Sequence, residues 1–145
     1  MLIRTNSDIP GKISEANEIA FIFEGRLKQF PLARETDRVQ VVIRGDKRHI
    51  GYYTSTNTEQ REGTHFDITV QGEIGDVLNF DIIGQEKRKG YGTQLYTIIE
   101  DCCKALGCKS MQTSASGQGQ YFWPKMGFSK LCQIKNTIGL EKSIV

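Results

Sequence analysis

Residues 84–107, GQEKRKGYGTQLYTIIEDCCKALG, decide the reading of this chain. Tyr91, Leu95, Ile98, Cys102 and Ala105 recur at three- and four-residue steps, the apolar stripe of an amphipathic helix, with Gly107 placed as its stop. Ahead of the stripe stand three consecutive cations, Lys87, Arg88 and Lys89, and then Gly90 and Gly92. The first turn of a helix carries N–H groups without intrahelical acceptors and the positive end of the macrodipole. An anion placed there accepts several hydrogen bonds at once. The two glycines let a phosphate come close, and the cations add charge around it. A solvated basic turn joining a strand to a helix is the plainer reading of the same residues. Counting excludes two familiar phosphate loops. GxxxxGK[ST] fails because Gly84 to Gly90 is one residue too long and Tyr91-Gly92 replaces Lys-Ser. The dinucleotide fingerprint fails because Leu95 stands where its third glycine belongs.

Outward from this stretch, strands and helices alternate. Asp76–Ile83 (DVLNFDII) reads as the strand before the loop and Lys109–Ser116 (KSMQTSAS) as the strand after the helix. Gln118–Met126 fits a short helix, and Phe128–Lys135 a last strand. Toward the N-terminus, Met1–Thr5 reads as a strand. Asp8-Ile9-Pro10 then opens a helix whose stripe is Ile13, Ala16, Ala20, Phe23, Leu27 and Phe30, ended by Pro31. Arg38–Ser55 reads as a hairpin turning at Gly45-Asp46, Thr56–Thr64 as a polar loop, and His65–Val70 as a further strand. Together these predict one domain over residues 1–145, an α/β (α+β layered) fold around a mixed sheet.

Composition narrows the function classes. A hydrophobic fraction of 38% and a charged fraction of 25% are those of a soluble globular protein. The net charge of +2 supplies no field to draw nucleic acid or a membrane surface. No apolar run approaches the ~20 residues that span a bilayer, and the opening residues carry no apolar core of a secretory signal. Cys102, Cys103, Cys108 and Cys132 form no paired zinc-ligand spacing, so they read as reduced thiols of a cytoplasmic protein, with no metal expected.

The KRKGYG loop opening a helix, then a strand, then FWPKMGF, resembles the signature of the GNAT superfamily of acyl-CoA-dependent N-acetyltransferases, over Asp76 to Phe128. The resemblance implies a mostly antiparallel central sheet with splayed middle strands flanked by helices. It implies acetyl-CoA as co-substrate: pyrophosphate on the amides of Arg88, Lys89, Gly90, Tyr91, Gly92 and Thr93, with Lys87 adding charge. The pantetheine arm would bond the backbone of Ile82 and Ile83. Ser116 stands where many members have Asn, and Lys87 where they have Gln or Arg. Trp123 takes the place of a Tyr that protonates the departing thiolate, and its indole N–H is not a practical acid. Tyr121, the nearest phenol but about 200° round the helix from it, takes the acid's role through a local distortion, or water protonates the thiolate, or no acid is needed.

A protonated amine acceptor needs a base. Asp76 opens the strand where several lysine-acetylating members carry one, with Glu73 in reserve and Asp81 a weaker candidate. Alternation puts Leu78, Phe80 and Ile82 on one face and Val77, Asn79, Asp81 and Ile83 on the other. The default for each carboxylate is a surface acid. Tyr52 and Tyr53 place one ring in the core and leave the other to line an acceptor pocket, and Glu59 and Glu62 would suit a cationic acceptor. His49 and His65 have no partner spacing and read as structural. Gly90→Glu or Gly92→Glu is expected to abolish cofactor binding and leave the fold intact.

The resemblance therefore implies acetyl transfer to a primary amine, on a small molecule or a protein, by a monomer or homodimer. A non-catalytic acyl-CoA or nucleotide-binding module of the same fold is the alternative. A nucleic-acid reading of Lys87–Lys89 with Tyr121–Trp123 is opposed by the near-neutral charge.

Overall fold

The computed structural model describes residues 1–54, 63–82, 90–115 and 119–145. Its strands are β1 (Leu2–Ser7), β2 (Arg38–Arg44), β3 (Lys47–Tyr53), β4 (His65–Gln71), β5 (Ile74–Asp81), β6 (Ser110–Ala115), β7 (Ser129–Ile134) and β8 (Thr137–Ser143). Its helices are α1 (Ile13–Leu27), α2 (Tyr91–Ala105) and α3 (Gly119–Lys125). One sheet runs in the order β1-β2-β3-β4-β5-β6-β8-β7. Pairing is parallel at β1/β2 and β5/β6 and antiparallel elsewhere. This is the mixed, mostly antiparallel α/β architecture that the sequence implies.

Helix α1 follows a 3-10 turn at Pro10–Lys12 and buries Ala16, Ile19, Ala20, Phe23 and Leu27, while Ile13 stays exposed. It stops at Leu27, four residues before Pro31, because the chain turns there: Phe30 N donates to Leu27 O and Ala33 N to Phe30 O. Phe30 is still buried, edge-on to the Tyr91 ring of α2 at 6.3 Å. Farther along the connection Asp37 is fully buried, accepting from Tyr52 Oη at 2.5 Å and from Arg34 N at 2.8 Å. Phe23 meets Phe66 of β4 at 6.1 Å, and Gly75 of β5 backs onto Cys103 of α2. Helices α1 and α2 thus cover one face of the sheet, and the core lies between.

The C-terminal expectation needs correcting. Phe128–Lys135 is not the last strand: it corresponds to β7, the sheet's outer edge. A further strand, β8, returns between β7 and β6. The turn is two residues, Lys135-Asn136, with Lys135 at φ 55° in the left-handed region. Sequence patterning hides β8 because Leu140 is its only buried residue.

Two irregularities shape the middle of the sheet. The β5/β6 ladder lasts four residue pairs, from Ile74↔Ser110 to Val77↔Thr113. Thr113 Oγ1 donates to Val77 O at 3.0 Å at the last of them. Beyond it β5 stays with β4 and β6 with β8, so the two strands open as a fork. The second is a bulge. Asp67 pairs with Asn79 and Ile68 with Val77, which leaves Leu78 as an extra residue, 53% exposed. The bulge overturns strict alternation along β5. Val77 joins Phe80 on the helix-covered side, while Asp76, opposite Thr69, shares the open side with Asn79.

Candidate functional site

Helix α2 begins beside the end of β5, one arm of the fork: a Cβ on Gly92 would lie 3.9 Å from Ile82. Gly90 precedes it at φ 84°, a conformation that L side chains rarely adopt, and the first helical bond runs from Gln94 N to Gly90 O at 3.2 Å. The amides of Tyr91, Gly92 and Thr93 precede that bond, no side chain of the cap residue closes the helix end, and the first turn has no acid. Thr93 is exposed there, and Tyr91 turns its ring toward Phe30. Gly92 has a second reason to be glycine. A Cβ on it would lie 3.2 Å from the Phe122 ring of α3 and 3.9 Å from Ile82. Its missing side chain makes room for α3, and the expectation that Gly90 or Gly92 accepts Glu without disturbing the fold is therefore corrected.

The helix side of the fork is closed by rings. Trp123, 5% exposed, packs edge-to-face on Phe80, Tyr96, Phe122 and Phe128 at 4.9–5.4 Å, and Phe80 stacks on Phe122. Trp123 thereby holds α3 against β5 and the first half of α2. Tyr121, two residues earlier, is 68% exposed. Ile82 is buried just past the end of β5. Ile83, Lys87, Arg88, Lys89 and Ser116, with the loop acids Glu59 and Glu62, lie outside the described residues.

On the open side, Asp76 stands one pair before the fork, between Thr69 of β4 and Gln112 of β6. Burial raises its carboxyl above the usual carboxylate range, with Lys47 opposing. Glu73 is at the closed end, in an exposed ion pair with Lys109 at 3.5 Å. Asp81 pairs with His65 at the far end of β5. The fork itself, held by Thr113, comes from pairing that side-chain identity does not announce. So does a shallow pocket on the open face, lined by residues of β2 to β5 that include His49, Tyr53, Asp67 and Asn79. Its one sequence signal is the Tyr52-Tyr53 pair: Tyr52 is in the core and Tyr53 lines the pocket.

The cysteines are all free thiols, three of them buried. Burial pushes the Cys102 thiol up to about 12, which opposes a nucleophilic role. Among the described residues no group of three or more His, Cys, Asp or Glu could hold a metal ion, and no helix is long and apolar enough to cross a membrane.

No family model matches the chain. A 58-residue stretch, 39% of the chain, is 41% identical to the Mast/stem cell growth factor receptor-related protein Kit of Xenopus laevis, but it spans only 6% of that receptor and carries no argument. Solved structures match far more of the chain. An acetyltransferase from Bacillus cereus superposes with a TM-score of 0.59 at 17% identity, covering 92% of this chain and 91% of that one. The PaiA N-acetyltransferase of Thermoplasma acidophilum, solved in complex with coenzyme A, gives 0.55 at 17% identity over 68% of this chain and 61% of that one, under two thirds of its length. A GNAT-family acetyltransferase from Staphylococcus aureus gives 0.52 at 10% identity over 68% and 69%. Identities this low establish architecture alone. The splayed mixed sheet with α2 at its fork is the fold of the GNAT acetyltransferases.

Proposed function

We propose that residues 1–145 form a single-domain, cytoplasmic N-acetyltransferase of the GNAT superfamily that moves an acetyl group from acetyl-CoA to a primary amine, as a monomer or homodimer, with no metal and no nucleic-acid or membrane partner. The observation that carries this is that α2, whose first turn has no side-chain cap, starts beside the end of β5, the strand that parts from β6 after Val77. Those features fit a long anionic thioester. Amides of Arg88 to Thr93, with Lys87, Arg88 and Lys89, would hold the pyrophosphate. The backbone at Ile82 and Ile83, the two residues that follow β5 in the sequence, would take the pantetheine arm as an added strand would. Ser116 would hydrogen-bond the arm from the other side, and Trp123 would keep α3 against the start of α2.

The chemistry asked of this chain is small. Asp76, on the open side beside the fork, takes a proton from the acceptor ammonium, because only the neutral amine attacks. The amine nitrogen bonds to the thioester carbonyl carbon, backbone N–H groups near Ile82 support the oxyanion, and the C–S bond breaks. Tyr121 protonates the departing thiolate and its phenolate takes the second proton from the nitrogen, which leaves the amide, the coenzyme A thiol and a protonated Asp76 that returns its proton to water. A second reading has one observation in its favour: Trp123 is packed into the core where a phenol acid would be expected. On that reading the chain binds acyl-CoA without turning it over. Thiol release from acetyl-CoA across a panel of primary amines separates the two. Release above the uncatalysed rate with any amine supports the enzyme, and tight binding with no release supports the binding module.

A further inference from the structure

The open-face pocket is built around a buried exception. Gly51 sits mid-strand in β3, where the freedom that glycine loses on folding weakens a strand. A Cβ on it would lie 2.5–2.8 Å from the Tyr53 ring, so the ring occupies the space that any other residue at position 51 would fill. In that place Tyr53 Oη donates to Asp67 Oδ1 by a short hydrogen bond, while Asn79 Nδ2 reaches Asp67 Oδ2 at 3.3 Å. Arg38, from β2, lies over the same ring, 5.6 Å from its centroid. It braces the phenol, and Asp67 has no ion pair among the described residues. Two accepted bonds leave a carboxylate with further acceptor capacity. Gln40 and His49 line the same pocket with no side-chain hydrogen bond among the described residues. Among the described residues Asp67 thus keeps acceptor capacity that no ion pair takes up, in a pocket where Gln40 and His49 make no side-chain hydrogen bond.

The Leu78 bulge brings this pocket and Asp76 to one face, since it turns Asp76 and Asn79 to the same side. Asp67 stands two residues along β4 from Thr69, the partner of Asp76, which separates the two backbone positions by about 8 Å. We propose that the pocket binds a second cationic group of the acceptor, so that the substrate is an amine carrying a further ammonium or guanidinium a few bonds away. The reacting amine sits beside Asp76 and the second cation sits on Asp67. The first placement rests on the acetyl-transfer reading, and the second stands on the pocket alone.

Calorimetric titration tests it with 1,5-diaminopentane against n-hexylamine, two primary amines of equal length that differ by one charge. Wild type should bind the diamine at least about 10-fold more tightly, the value of one charge-assisted hydrogen bond. Asp67→Asn should erase that preference, and Gly51→Ala should weaken it by displacing Tyr53, with acetyl-CoA affinity unchanged in both. Equal binding of the two amines by wild type, or a preference that survives in folded Asp67→Asn, overturns the proposal. The same samples titrated with acetyl-CoA test the other reading separately. Asp67-dependent diamine binding without acetyl-CoA binding would support the pocket and refute the transferase.

Discussion

Asp76 sets stability against chemistry. Burial raises its pKa, so the folded chain holds that proton more tightly than the unfolded chain does. Its contribution to stability therefore falls as pH rises from the ordinary carboxylate range through the raised value. Asp76→Asn should raise the melting temperature at neutral pH, with the gain vanishing in acid, where the wild-type carboxyl is also neutral. The same change should lower thiol release by about 100-fold or more, as expected for a lost general base, with acetyl-CoA affinity intact. Melts and steady-state rates at matched pH check both halves, and a variant that is both less stable and fully active contradicts the assignment. Tyr121→Phe should lower kcat by about 10–100-fold without moving acetyl-CoA affinity. An unchanged kcat would pass the thiolate's protonation to water. Asp76 is legible in the sequence as the residue opening a strand, but its face is not. A bulge depends on the pairing of two strands, so counting along one of them puts Asp76 on the wrong side.

At the scale of the element, α2 is the part most fully written in the sequence. Its stripe, its stop and its glycine start all appear, because periodicity and caps are local. Gly90 and Gly92 make poor probes of its N-terminus, since one needs its left-handed backbone and the other its space beside Phe122. Thr93 is the better one. Thr93→Glu puts a negative charge in the exposed first turn, which should stabilise the helix by about 0.3–1 kcal/mol. If phosphates bind there, it should also weaken acetyl-CoA binding by 10-fold or more (about 1.4 kcal/mol). Denaturant melts and binding titrations should thus move in opposite directions, and unchanged affinity would remove the site. The other end of α2 is tied to β8. Burial works against the Glu100 charge, but Lys142 at 2.5 Å, Tyr96 at 3.1 Å and Lys104 at 3.4 Å outweigh it and hold the carboxyl below its ordinary range. Stability from Glu100 is then present above the ordinary carboxylate pKa and lost as pH falls through the depressed one. Glu100→Gln should cost about 1–3 kcal/mol at neutral pH, and less in strong acid, in urea melts. The sequence does not show this tie because β8 is itself hidden: one buried leucine and a turn without glycine give a strand no local signal.

For the whole molecule, alternation of strands and helices was enough to predict a layered α/β domain, and the splay came with the resemblance to a known signature. Strand order was not legible. The insertion of β8 between β6 and β7, and the fork that opens after Val77 and Thr113, are long-range pairings whose cause is spread over the chain. If the sheet is one cooperative unit, thermal unfolding should be a single transition whose calorimetric and van't Hoff enthalpies agree, and two resolved transitions would contradict a single domain. The central claim is that the fork and the start of α2 hold coenzyme A. Calorimetric titration of the purified protein with acetyl-CoA, CoA and ATP tests it most directly. Tight and similar binding of acetyl-CoA and CoA, with ATP much weaker, is the predicted result. Absence of binding by all three would reduce Lys87 to Gly92 to a solvated basic turn and contradict the account.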